Sequence, residues 1–132
     1  MEALVSMLLL GIMVTGVISG FIQTHRMAEW ATYDQAAQSL AMQPIEQSRA
    51  AIWDPERAVP IDELVTNNFP MTTNVLDVPI AGTNVVYATN TIQIKTISTD
   101  PPLRMISVQC TWAFPNRGVF TNSVFTYRAP DQ

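Results

Sequence analysis

Apolar and polar positions divide the chain into three stretches. In the first, residues 3–22 form a run of 20 with 14 strongly apolar side chains, interrupted by Ser6, Gly11, Thr15, Gly16, Ser19 and Gly20. No charge lies between Glu2 and His25. At ~1.5 Å rise per residue, a helix over this run covers roughly 30 Å, the thickness of a bilayer core. A core helix of a small protein keeps one wet face, so a run that is apolar on every side predicts a membrane segment. The competing reading is a cleavable secretory signal, whose apolar region spans about 7–15 residues behind a positive amino end and stops at a small-x-small site. Here the run is longer, no Lys or Arg precedes it, and Ile18-Ser19-Gly20 leads into further apolar residues. A retained helix is the expectation.

In the second stretch the period changes. Gln23, Thr24, His25 and Arg26 make a polar collar, after which the chain reaches Trp53 with no Gly, one Pro and many Ala. Alanine, Gln, Leu, Met and Glu are strong helix formers. Met27, Trp30, Ala37, Leu40, Ala41, Ile45 and Ile52 fall on one helical face, with Arg26, Glu29, Asp34, Glu46 and Arg49 largely between them. An amphipathic helix over 26–53 is predicted, continuous with the apolar one. Pro44 should bend or split it, because proline lacks the backbone donor and crowds the preceding turn. Trp53-Asp54-Pro55 closes the segment.

From Asp54 onward eight of the nine prolines occur, with many Thr and Asn. Residues 54–74 read as loop, with a short helical turn over 61–64. Strands are predicted over 84–98, 103–114 and 119–127, with a weaker one over 75–80 that Pro79 would confine to an edge. The clearest alternation sets Ile106, Val108, Cys110, Trp112 and Phe114 against Ser107, Gln109, Thr111 and Ala113. Pro115-Asn116-Arg117-Gly118 and Gly82-Thr83-Asn84 are turn signals. The fold class is therefore α+β: a long amino-terminal helix whose amphipathic half covers a small antiparallel sheet of three to four strands. In this division residues 1–25 form the membrane segment and 26–132 a globular domain, comprising helix 26–53, loop 54–74 and sheet 75–129.

Composition then narrows the chemistry. A chain of 132 residues allows one small domain. Seven Lys and Arg against eleven Asp and Glu give a net charge of -4, which argues against a nucleic-acid surface. The lone Cys110 cannot form an internal disulfide and reads as a buried, inert thiol on a core strand. His25, also alone, reads as a surface residue at the interface. Asp54, Glu56, Asp62 and Glu63 match no calcium-loop spacing and read as a solvated acidic loop, with cation binding the alternative. No nucleophile–base pair can be drawn, so neither an enzyme, a cofactor nor a small-molecule substrate is expected.

Two features of the apolar helix carry assembly chemistry. Glu2 stands at its edge, where a carboxylate beside hydrocarbon is costly without a partner; the plain alternative is an interfacial charge favoured by the helix dipole. Gly16-x-x-x-Gly20, with Gly11 on a related turn, supplies the small surfaces that let apolar helices approach closely.

Glu2-Ala3-Leu4-Val5-Ser6, followed by an apolar helix containing Gly11, resembles the amino end of type IV pilins and type II secretion pseudopilins. Those proteins begin, once processed, with F-T-L-x-E and a similar helix. The amphipathic continuation, the Trp53-Asp54-Pro55 stop and the stretches Val108-Gln109-Cys110-Thr111-Trp112 and Phe125-Thr126-Tyr127-Arg128-Ala129-Pro130-Asp131 are similar to minor members, V-type minor pilins and I-type minor pseudopilins. The resemblance implies that Glu2 pairs with the free amino terminus of a neighbouring subunit, so that two opposite charges are satisfied only on assembly. It implies that residues 3–22 sit first in a bacterial inner membrane and then in a filament core, with Gly11 where the helix loosens. The partners implied are other pilin or pseudopilin subunits. The family's basic leader, cleavage glycine and F-T-L do not precede Glu2, and Met1 stands directly before it; a leader lost from this chain is the expectation. By charge alone Arg26 would place the following domain in the cytoplasm, whereas the resemblance implies the periplasm. A retained glutamate argues against the tip-most subunit. The alternative from another class is a membrane-anchored binding domain with the helix as a mere tether; a secreted domain that loses the apolar run is a third.

Overall fold

The computed structural model describes residues 2–77, 85–115 and 117–131. The Gly82-Thr83-Asn84 turn, residues 78–80 of the weaker strand, Asn84 of the next strand, Asn116 and Met1 lie outside them. The elements are helix α1 (Glu2–Ala50), β1 (Trp53–Asp54), β2 (Ile61–Asp62), a 3-10 turn (Thr66–Asn68), β3 (Thr72–Asp77), β4 (Val86–Thr99), β5 (Pro102–Phe114) and β6 (Gly118–Arg128). The fold is α+β, with the antiparallel order β3-β4-β5-β6 in the main sheet and a separate β1-β2 pair. Two compact units divide the chain, one ending at Thr32 and the other starting at Tyr33.

In the second unit, the part of α1 beyond Tyr33 lies on one face of the main sheet. Tyr33, Ala37, Ala41 and Ile45 are buried from the helix, against Val86, Ala88, Ile92, Ile106, Val108, Cys110, Trp112 and Phe114 from β4 and β5. Ala37 and Ala41 have no exposed surface. Tyr33 meets Trp112 and Phe114 edge-on, at ring separations of 6.0 and 5.6 Å. The register places Ile106, Val108, Cys110 and Trp112 opposite Ile94, Ile92, Asn90 and Ala88 of β4, so the inward phase of one strand carries into the next.

Of the two outcomes expected at Pro44, a bend or a split, the split does not occur. It is buried inside α1, which runs unbroken from Glu2 to Ala50. The reason is a tertiary contact. Proline at 44 cannot donate to the Leu40 carbonyl four residues back, and the Asn90 Nδ2 of β4 donates to that oxygen instead, at 2.9 Å. A second correction concerns the loop: the helical turn expected at 61–64 lies at Thr66–Asn68, while Ile61–Asp62 pairs with Trp53–Asp54. Glu63 favours this pairing, since its backbone N–H reaches the Ile52 carbonyl at 2.8 Å and its carboxylate accepts from the Ile52 N–H at 2.9 Å. At the β5–β6 turn, Arg117 N–H closes on the Phe114 carbonyl at 3.1 Å and Gly118 takes φ +107°, which explains glycine there.

Candidate assembly site on the amino-terminal helix

Every residue from Glu2 to Glu29 is exposed. The helix is long and apolar enough to cross a membrane, and every residue of the 3–22 run is exposed among the described residues. Two of its three hydroxyls bond back to the helix: Ser6 donates to the Glu2 carbonyl at 2.9 Å and Thr15 to the Gly11 carbonyl at 2.8 Å. At the polar end, Thr24 donates to the Gly20 carbonyl at 2.9 Å. Each such back-bond removes a free donor from the helix surface, which is what an apolar environment demands.

The small residues gather on one side. Leu8, Gly11, Ile12, Thr15, Gly16 and Ser19 line a shallow open groove along the helix, and Gly20 continues the Gly16 row one turn on. A Cβ added at Gly11, Gly16 or Gly20 would meet nothing within 4 Å. Among the described residues, therefore, nothing packs against these glycines. Glu2 lies in the first turn of α1, where the helix dipole favours its charge. The ion pairs among the described residues are Arg49–Glu46, Arg104–Asp62 and Arg128–Asp131, and Glu2 belongs to none of them. His25 is exposed, with Phe21 edge-on at 6.5 Å.

The other singled-out residues have structural partners. Asp54 accepts from the backbone of Glu56 and Arg57 at 3.2 and 3.1 Å. Asp62 takes both prongs of Arg104 at 2.6 and 2.7 Å. That hydrogen-bonded guanidinium, and secondarily its charge, holds the Asp62 carboxyl below the usual carboxylate range. Among the described residues no group of three or more His, Cys, Asp or Glu is placed to hold a metal ion. Cys110 is fully buried, and burial pushes its thiol up from the ordinary value, away from the reactive thiolate.

A set of polar residues not anticipated from the sequence fastens the helix end to the sheet. Arg128 of β6 donates to the Ser48 carbonyl at 2.5 Å, satisfying an oxygen in the last turn of α1, and to Asp131 at 2.7 Å. Asp131 also accepts from the Trp53 N–H at 2.8 Å, and this bond, followed by the one from Arg128, lowers its carboxyl. Arg104 adds a bond to the Leu64 carbonyl at 2.7 Å and stacks 4.4 Å over the Trp53 ring. Asn122 joins β6 to both layers, accepting from the Trp112 indole at 2.8 Å and donating to Asp34 at 2.6 Å. Tyr33 donates to Asp77. A signal was present: Asn90, Arg104, Asn122 and Arg128 all stand in the inward phase of otherwise apolar or alternating strands, where a polar side chain needs a buried partner. No family model matches the chain, and comparison with curated proteins and with solved structures likewise gives no match.

Proposed function

We propose that the protein is a structural subunit of a type IV pilus or a type II secretion pseudopilus, of the minor pilin or pseudopilin kind, assembling through its amino-terminal helix. The observation that carries this reading is Glu2 at the head of an apolar helix that is exposed throughout among the described residues and that continues unbroken into the helix packed on the sheet. A helix used only as an anchor has no need of a carboxylate beside hydrocarbon. In an assembled bundle, that carboxylate meets the amino terminus of a neighbouring copy, and each charge satisfies the other. Before assembly the helix rests in the inner membrane with the sheet domain in the periplasm. The glycine groove then admits a neighbouring helix, and the role is mechanical, with neither cofactor nor substrate.

The test is assembly in the native host with Glu2→Ala and Glu2→Gln. Removing one partner of a buried ion pair costs about 3–5 kcal/mol, so incorporation should fall by well over tenfold while membrane insertion stays intact. Normal incorporation of Glu2→Ala would sink the reading in favour of a tethered binding domain. Mass spectrometry of the mature amino-terminal peptide is the companion measurement: an N-methylated phenylalanine three residues upstream of Met1 marks processing of the pilin type. A start beyond Gly20 would mark a secreted domain.

A further inference from the structure

Two arginines stand opposite each other at one end of the main sheet. In the β5–β6 ladder Arg104 is paired with Arg128, and residues opposed in an antiparallel pair lie about 4.5–5.5 Å apart at Cα. Both side chains are largely covered, 17% and 14% exposed. Like charges set opposite each other are destabilising, and a covered charge needs a counter-charge. Each arginine obtains one from outside the sheet. Asp62 of β2 takes both prongs of Arg104, and Asp131 of the carboxyl-terminal tail accepts from Arg128 at 2.7 and 2.9 Å.

Trp53 joins the two ion pairs. Its ring lies against the Arg104 guanidinium, its N–H donates to the Asp131 carboxylate, and its carbonyl accepts from the Asp131 N–H at 2.8 Å. The same arginines also hold backbone, Arg104 at the Leu64 carbonyl and Arg128 at the Ser48 carbonyl in the last turn of α1. Trp53 and Leu64 are both buried. The other charges on the neighbouring elements are engaged elsewhere. Glu46 pairs with Arg49 in α1, Glu63 accepts from the Ile52 N–H, and Asp54 accepts from the backbone of Glu56 and Arg57. On the β4 side, Arg104 is opposed by the uncharged Thr96. Among the described residues, Asp62 and Asp131 are therefore the counter-charges that this arginine pair has.

We infer that residues 52–64 and the tail 129–131 form a single acid-released latch at the end of α1. The latch is shut while both carboxylates neutralise the arginines. Their protonation leaves two adjacent guanidiniums without a counter-charge, and the two segments lift together while the four-stranded sheet stays folded. Both carboxyls are held below the ordinary range, Asp62 chiefly by the hydrogen-bonded Arg104, Asp131 by the Trp53 N–H and then by Arg128. The latch is therefore at full strength above the ordinary carboxylate range, near pH ~4, and weakens as pH falls through the lower folded values. Opening stays local for two reasons. Strands β1 and β2 pair over two residues only, a ladder that depends on its arginine ties. At the other end of the packed helix, the carboxylates of Asp34 and Asp77 meet the uncharged Asn122 and Tyr33, so acid leaves no unpaired cation there.

Amide hydrogen exchange of the full chain in detergent micelles tests the latch over roughly pH 6 to 2.5, with rates corrected for the intrinsic pH dependence of exchange. Protection in 52–64 and at the Asp131 amide should fall together below pH ~4, by about tenfold for each unit by which the carboxyls are held down. Protection in 86–94 and 105–114 should stay within about threefold, as for a sheet outside the opening unit. At neutral pH, Asp62→Asn should loosen the tail as well as its own segment, and Asp131→Asn should loosen 52–64 as well as the tail, because both act on Trp53. Asp62→Asn/Asp131→Asn should show both stretches open at neutral pH and no further loss in acid, with the sheet still protected as the internal control for folding. Four results would overturn the latch: release of the two stretches at different pH values, loss of sheet protection in step with them, single variants that each loosen only their own segment, or a double variant that keeps the pH dependence of the unsubstituted chain.

Discussion

Asn90 shows how one side chain settles a conflict between local propensity and fold. It is 3% exposed, on the inward phase of β4 between Ala88 and Ile92, and its amide satisfies the carbonyl that Pro44 orphans. Asn90→Ala should cost about 1–3 kcal/mol, the penalty of a buried unpaired carbonyl plus the lost bond. In a Pro44→Ala background the loss should shrink, because alanine supplies the backbone N–H that proline lacks; a double-mutant cycle by urea unfolding reads the coupling directly, and additive losses would refute the account. Arg104 and Asp62 make a second residue-scale prediction. The carboxyl is depressed in the folded state, so the pair's contribution is fully present above the ordinary carboxylate range, near pH ~4, and is lost as pH falls through the lower folded value. Asp62→Asn should therefore lower stability at pH 7 by about 0.5–1 kcal/mol, the scale of a partly exposed ion pair, and the loss should shrink progressively as pH falls below the ordinary carboxylate range, as followed by thermal unfolding across an acid pH series. Asp131 titrates in the same direction.

At the scale of elements, α1 carries two different surfaces on one continuous helix. Its glycines face nothing in the chain, so Gly16→Ile should leave the unfolding temperature of the detergent-solubilised monomer unchanged. Helix association in bilayers should weaken by about 5–30-fold, as for loss of about 1–2 kcal/mol of close packing; energy transfer between labelled copies measures it. Equal association of the variant would show that the groove faces lipid. The apolar run, the amphipathic continuation and β5 were legible because each repeats one period over many residues: about 3.6 in the helix and about 2 in Ile106, Val108, Cys110, Trp112 and Phe114. The continuity at Pro44 was not, since it depends on Asn90, which lies 50 positions beyond the Leu40 carbonyl it serves. Nor was the β1–β2 pair, where two-residue strands carry no periodicity and tertiary bonds from Glu63 and Arg104 decide the conformation. Of the candidate site, Glu2 and the glycines could be placed on the helix from spacing alone, whereas the Arg104 and Arg128 clusters join residues that are distant in sequence.

For the whole molecule, the division at Thr32 sets the exposed apolar run apart from the buried core. Buried side chains begin at Tyr33, and all the long-range ties named above lie between residues 33 and 131. Every side chain of the 3–22 run is exposed. A chain lacking residues 2–25 should therefore fold with thermal stability within about 0.5 kcal/mol of the full chain, the range of changes that touch no packed feature, and should stay in solution without detergent. Far-ultraviolet circular dichroism would show the lost helix signal as that of the deleted residues alone, and near-ultraviolet signals from Trp53 and Trp112 should be retained. Loss of those tertiary signals would mean that the apolar helix supports the sheet. Retention gives the assembly chemistry a free hand: substitutions at Glu2, Gly11, Gly16 and Gly20 then report on association alone, because the domain they carry does not feel them.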